Sequence, residues 1–387
     1  MKIHPTVSIY LDLVRFVAAV FVVFTHLRHE KFSGDLLNYG STGNEAVMIF
    51  FVLSGFVVAY AVDTKDNTLR DFMLSRLARL YSVALPALIL TVLLDQTGRL
   101  IDASVYDYEY YRADWPIIRF VANLFFSTEF WFVSIRPFSN GPFWSLGYEF
   151  WYYMIFGVAV FLKGRTRIIL IAVMCIVLGP KILLLLPVWL LGVGMYHLTL
   201  HRDVPKALGW FLFIMSFVAI LAYFELGVKA TLDKLTEAIL GKTLFDHLLW
   251  SKFFASSYLI AFAFAANLVG FHSIADSFTG FFKRLEKPIR YLASFTFTTY
   301  LMHFPLMLLL VALIPSAKES YSSLTFLFIL MTIAIYITGI FTERKKHVAK
   351  NLLTKFFNRY NILGDSQSTN SSDLTSTPPL SSKSIQS

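Results

Sequence analysis

Ten long apolar runs leave this 387-residue chain no room for a soluble domain. They lie at roughly 7–27, 45–62, 80–96, 143–162, 166–180, 182–199, 207–226, 253–271, 290–313 and 322–342. A helix of about 20 apolar residues spans the roughly 30 Å hydrocarbon core of a bilayer. Soluble proteins carry about 25% charged residues; here 15% are charged and 56% hydrophobic, with a mean hydropathy of +0.61. The expected fold is an all-α polytopic membrane protein of about ten transmembrane helices. Residues 1–345 form the membrane domain, and 346–387 a basic segment followed by a disordered Ser/Thr/Pro-rich tail. Gly179, Pro180 and Lys181 divide the 166–199 stretch into two helices. The aromatic 117–133 segment carries Arg119 and Glu129 and reads as a half-buried interfacial helix rather than a span.

Basic residues set the orientation. Lys65, Arg70, Arg76, Arg79, Lys163, Arg165, Arg167, Lys283, Arg284, Lys287 and Arg290 fall on the side shared with both termini. The positive-inside rule therefore places both termini in the cytosol. It also explains the formal charge of +9 without nucleic acid. The single cysteine, Cys175, excludes an intrachain disulfide, a C-x-x-C redox site and a cysteine-based zinc site. The first run ends near His26 with no small-x-small cleavage site after it, so it is expected to stay in the protein as a span. Two long outer loops, about 97–142 and 227–252, are the remaining large segments. The first is rich in Asp, Tyr, Phe and Trp, which suits either a sugar-binding surface or an interfacial lid.

Ionisable residues within spans are costly and are functional candidates by default. Arg15 and His26 lie in the first run, eleven residues apart. On a helix they share a face, offset by about 20°, and are separated by about 16 Å of rise. Asp12 sits one turn before Arg15, where it is either part of a site or the structural partner of a buried charge. Arg76 and Arg79 form an R-x-x-R suited to gripping one anion, or to ordinary cytosolic anchoring. Glu149 enters the fourth span, where a carboxylate needs a partner; a contact with His26 would fix the imidazole tautomer and raise its basicity. Trp144, Tyr148 and Ser145 flank Glu149, and His303 lies in the outer half of the ninth run.

The order of these motifs resembles the acyltransferase-3 family of membrane O-acyltransferases. The resemblance rests on R-x10-H in the first run, FFVLSGF over 50–56, Arg76-x-x-Arg79, Trp144-Ser145-Leu146-x-x-Glu149 and T-Y-x-x-H-x-P ending at Pro305. Ala46 and Met48 depart from the Gly and acidic residue common there, and Ser82 stands in place of a proline. Ser54 and Gly55 permit close approach of a ligand or of a neighbouring helix.

The resemblance implies transfer of an acyl group, most often acetyl, from cytosolic acyl-CoA to a hydroxyl of a cell-surface or lipid-linked glycan, in a bacterial inner membrane. It implies that Arg76 and Arg79 hold the coenzyme A phosphates and that Arg15 holds the pantetheine or phosphate region. His26, oriented by Glu149, would be the general base. Asp12, Trp144, Ser145, Tyr148 and His303 are the further candidates for substrate contact. Acyl-CoA is then a substrate, and neither a resident cofactor nor a metal is expected. Two other readings stay open: an exporter of a glycan or small acid with a polar path through Arg15, His26, Glu149 and His303, and an acyltransferase of the other membrane-bound family centred on His303.

Overall fold

A computed structural model describes residues 3–108 and 111–363; the expected tail over 364–387 lies outside the described residues. These residues form helices joined by turns and by longer irregular segments, the longest over 125–143. They are α1 (Pro5–Leu27), α2 (Glu30–Ser33), α3 (Gly43–Thr64), α4 (Leu69–Ile101), α5 (Pro116–Leu124), α6 (Trp144–Phe161), α7 (Gly164–Leu178) and α8 (Pro180–His201). The second half adds α9 (Lys206–Glu225), α10 (Val228–Leu240), α11 (Lys242–His247), α12 (Phe254–Ile274), α13 (Thr279–Ala293), α14 (Thr296–Leu313), α15 (Tyr321–Phe341) and α16 (Lys346–Arg359). All ten expected runs are helical. Eight helical stretches among the described residues are long and apolar enough to cross a membrane. The set omits α6 and α7. Helix α6 is diluted by Glu149 and its Trp and Tyr residues, and the 15 residues of α7 rise only about 22 Å.

Three boundaries differ from the sequence expectation, each for a local reason. Helix α4 starts at Leu69 because Thr68 caps it, accepting the Asp71 N–H at 3.1 Å and donating to the Asp71 carboxylate at 2.8 Å. Arg76 and Arg79 therefore lie inside a 33-residue helix and not at its entrance. The ninth run is two helices, broken at Ser294–Phe295. Glu343, arriving from the end of α15, accepts the Phe297 and Thr298 N–H groups at 3.3 and 2.9 Å and so caps α14. The 117–133 segment yields only the nine-residue α5, far too short to span. Arg119 and Asn123 on α5 point inward and are buried, while Ile117, Ile118 and Val121 are exposed. Past residue 345 the basic segment folds as α16, which buries Phe357 and receives an Arg70 hydrogen bond on Asn358.

The centre of the bundle is α3, packed on α1, α8 and α12, with α14 against α4 and α1. The α3–α8 seam is a reciprocal glycine contact. A Cβ at Gly55 would sit 2.0 Å from the Trp189 carbonyl oxygen, and one at Gly192 would sit 2.0 Å from that of Val52. Backbone-to-backbone packing of this kind leaves no space for any side chain. Gly55 is therefore a packing residue, whereas its neighbour Ser54 turns toward a polar cavity.

Candidate active site

Arg15 and His26 both face α3 and α14, as their spacing requires, but they open into different cavities. Arg15 lines a small one of about 50 Å³ with Arg79, Ser54, Ser145 and Glu149. His26 lines a larger one of about 340 Å³ with Trp144, Trp250, Arg136, Lys31 and Tyr108. Val47 and Tyr300 border both. The Tyr300 hydroxyl is tied to Ser145 Oγ at 2.7 Å and donates to the Pro142 carbonyl at 2.9 Å. This aromatic ring is the partition between the cavities.

The carbonyl partners decide the histidine tautomers. His303 Nδ1 lies 2.9 Å from the Thr299 carbonyl, which can only accept, so that nitrogen carries the proton. The neutral ring then offers a lone pair at Nε2, 3.1 Å from His26 Nδ1. His26 Nδ1 is also 2.9 Å from the Val22 carbonyl, so its N–H is shared between two acceptors. The basic nitrogen left on His26 is Nε2. Phe304 packs edge-on against the His26 ring at 5.1 Å. His26 is thus in the last turn of α1, as its place in the run implied, and level with the middle of α14, in a cavity also lined by Phe32 of α2 and by residues of the 131–143 loop.

Glu149 does not orient His26. Its Oε1 accepts from Ser54 Oγ at 2.7 Å and from the Tyr153 hydroxyl. It is a polar member of the Arg15 cavity, and the side chain that reaches His26 is His303, at 3.1 Å. Arg76 and Arg79 do not grip one anion either. The Arg76 guanidinium is buried and donates to Asp66 at 3.1 Å and to Ser75 at 3.2 Å, while Arg79 faces the cavity. Tyr148 is fully buried with its hydroxyl on Ser251 at 2.8 Å and lines neither cavity. It is a core residue. Asp12 is 3.7 Å from Arg15 and 2.9 Å from Arg290, so it serves two cations. Trp144 stacks on Trp250, with ring centres 5.4 Å apart and planes 16° from parallel. Among the described residues no group of His, Cys, Asp or Glu is placed to hold a metal.

Several residues of the site were not singled out from the sequence. Asp95 on α4, 2% exposed, accepts Ser139 N–H and Oγ–H at 3.0 and 2.6 Å. Asn140 next to it donates to Thr91 Oγ1 and the Leu301 carbonyl. Together they pin the loop that roofs the His26 cavity between α4 and α14. A second anchor is the Lys181–Glu129 pair, 2.6 Å apart with both side chains at most 1% exposed. Asp95 had a readable signal, an acid inside an apolar run. Arg136 comes from an irregular loop and Trp250 from a single turn of 3-10 helix over Leu249–Phe253, and neither had a signal.

The family model described as an acyltransferase domain matches residues 8–343, a span that contains both cavities. The chain belongs to the acyltransferase-3 family. An O-acetyl transferase of Shigella phage Sf6 is 31% identical over 172 residues, which cover 42% of this chain and 49% of that protein. The chain thus spans about half the length of that relative. No solved structure matches. In this acyltransferase-3 chain the apolar helices make an integral membrane protein, and Arg15 and His26 each line one of two cavities that share Val47 and Tyr300.

Proposed function

We propose that this protein is a membrane O-acyltransferase of a bacterial inner membrane. It moves an acyl group, acetyl in the first instance, from cytosolic acyl-CoA to a hydroxyl of a cell-surface or lipid-linked glycan. Family membership supports the acyl transfer, and the O-acetyl transferase of the phage supports the acetyl type. The observation that carries the reading is the His26–His303 pair beside the partition between a cationic cavity and an aromatic one. Positive-inside bias supports the Arg15 cavity facing the cytosol and the His26 cavity facing out.

In this mechanism Arg15 and Arg79 hold the anionic part of the donor, and the thioester reaches the Tyr300 partition. The acceptor hydroxyl lies against His26. Its oxygen attacks the thioester carbonyl carbon while His26 Nε2 takes the proton. The C–S bond breaks, and the imidazolium returns the proton to the leaving thiolate. His303 accepts the His26 Nδ1–H throughout and stabilises the imidazolium as it forms. Direct transfer fits because Cys175, on α7, lines neither cavity.

Radiolabelled acetyl-CoA supplied to purified protein in proteoliposomes tests this. Wild type is expected to transfer or slowly hydrolyse the acetyl group, and His26→Ala to do neither. Solute uptake or release without any thioester turnover would sink the acyltransferase reading. Orientation is checked with cysteines at Lys31 and Lys65 in a Cys175→Ser background. An impermeant thiol reagent is expected to label position 31, but not 65, on intact cells.

A further inference from the structure

Pro305 stands inside α14, two residues after His303. Proline has no N–H, and its ring crowds the carbonyl four residues back. In α14 that carbonyl belongs to Leu301, in the turn that carries both Tyr300 and His303. Leu301 is fully buried, so its carbonyl needs a donor from elsewhere. The donor is Asn140: its Nδ2 lies 2.9 Å from the Leu301 oxygen and 3.0 Å from Thr91 Oγ1. A carbonyl only accepts, so the amide nitrogen is the end that faces Leu301. The Thr91 hydroxyl donates to the Ala87 carbonyl at 2.7 Å and therefore accepts the second Asn140 N–H. Both protons of one NH2 group are used, and Asn140 is itself fully buried.

Asn140 is held from several sides. Ser139 beside it gives its N–H and Oγ–H to Asp95 on α4. The backbone N–H of Asn140 donates to the Pro137 carbonyl at 3.0 Å. Two residues on, the Pro142 carbonyl accepts the Tyr300 hydroxyl at 2.9 Å. The 137–142 loop therefore grips α14 at two neighbouring residues, Tyr300 and Leu301, within one turn of His303. His303 Nε2 is 3.1 Å from His26 Nδ1, and a contact stretched to about 3.6 Å is no longer a hydrogen bond. A small rotation of that turn decides whether the two rings are joined.

We propose that Asn140 is a positioning residue for the histidine pair. It supplies the hydrogen bond that Pro305 removes from α14, and so fixes the turn from which His303 reaches His26. The roof of the cavity and the histidine pair are then one mechanical unit. The proline of T-Y-x-x-H-x-P has a physical role in it, which is to free a carbonyl for the loop to grip. This deepens the acyltransferase reading and rests on it for the kinetic test alone.

The test gives the missing bond back to the helix. Pro305→Ala returns an N–H to position 305, so Leu301 regains an intrahelical donor and Asn140 becomes dispensable. Asn140→Ala, Pro305→Ala and the double variant, each in the full chain, are compared with wild type. A misplacement of about 1 Å can cost about 10²-fold. Asn140→Ala is therefore expected to lower kcat by roughly 10–10²-fold, no more than His303→Leu does, with donor KM unchanged. In the Pro305→Ala background the same substitution should cost less than about threefold, the non-additivity expected of coupled residues. An equal loss in both backgrounds means that Asn140 only ties down the loop, and overturns the proposal. The geometry is also read without turnover, in detergent, from protein carrying isotope-labelled histidine. The nuclear coupling across the N–H···N bond between His26 and His303 is expected in wild type and absent from Asn140→Ala. It should be present in Pro305→Ala and in the double variant. Coupling retained in Asn140→Ala, or missing from the double variant, overturns the proposal. If Asn140→Ala alone does not fold, the double variant decides by the same signal. A wild type that shows this pattern of coupling but no thioester turnover fails the acyltransferase reading alone, and the positioning role stands.

Discussion

The two cavities that meet at Tyr300 are built on opposite plans. In the Arg15 cavity Arg15 lies beside Asp12, Glu149 accepts from Ser54 and Tyr153, and Arg79 faces the space. Its volume of about 50 Å³ admits a few water molecules, so on the proposed function a pantetheine arm would have to widen it on entry. The His26 cavity is about 340 Å³ and is lined by stacked indoles and by Lys31 and Arg136. A site whose polar groups are mutually satisfied costs little to keep empty in a membrane interior. On the proposed function, the donor would enter among groups that already have internal partners, and the acceptor would meet a preformed aromatic face.

Substitutions can break this contrast. The largest effect is expected at His26, the reacting end of the wide cavity. His26→Ala should lower kcat by about 10²–10⁴-fold with donor binding retained. Normal turnover in this variant would remove His26 from the mechanism. Next comes Arg79→Ala in the narrow cavity. Losing one charge-assisted bond costs about 1.5–3 kcal/mol, which is a rise in donor KM of roughly 10–150-fold, with acceptor KM unchanged. Arg76 is the internal control, because it is paired with Asp66 away from the cavity. Arg76→Ala should instead destabilise the protein by about 3–5 kcal/mol through a stranded carboxylate, visible as a lower melting temperature. If Arg76→Ala and Arg79→Ala raise donor KM equally, the two arginines act on one anion after all.

His303 ranks below both. Its role is to hold one tautomer of His26, so His303→Leu should reduce kcat by roughly 10–10²-fold, less than removal of the base itself. The pH profile distinguishes positioning from packing. A positioning loss shifts the apparent pKa of kcat, while a packing loss lowers activity at every pH alike. A profile unchanged in shape would return His303 to the core.

The sequence exposed the architecture more fully than the site, and the reason is physical. Apolar runs of membrane length are dictated segment by segment, so all ten runs were legible as helical, although the ninth is two helices and eight stretches reach span length. The eleven-residue spacing of Arg15 and His26 was equally legible, since one helix fixes their common face. Relations between helices were not. Glu149 and His303 both stand in apolar runs as isolated polar residues, and periodicity does not say which of them reaches His26. Only the packing of α14 on α1 brings His303 there, and that of α6 near α3 takes Glu149 to Ser54. The R-x-x-R pair was misread for a related reason. Two residues one turn apart can still divide between a buried partner, Asp66, and a cavity. Arg136, in a loop, and Trp250, in a single 3-10 turn, follow no period that a span-length pattern reveals.

The smallest expected effect tests the partition itself. Tyr300 borders both cavities, and its hydroxyl is bound to Ser145 on the Arg15 side and to the Pro142 carbonyl on the roof of the His26 side. Tyr300→Phe keeps the ring and removes only the hydroxyl. The net loss should be about 0.5–1.5 kcal/mol per hydrogen bond, or roughly two- to tenfold in whichever step depends on it. If the hydroxyl merely packs the wall, stability falls slightly and turnover of all acyl donors changes alike. If the ring screens what crosses between the cavities, loosening it should relax selectivity. Propionyl-CoA and butyryl-CoA should then gain on acetyl-CoA in kcat/KM by a few fold, while acceptor KM stays put. Tyr300→Ala, which opens the wall outright, should extend that trend to longer chains and raise hydrolysis by admitting water. Unaltered donor ranking in both variants would show that the cavities meet elsewhere than at Tyr300.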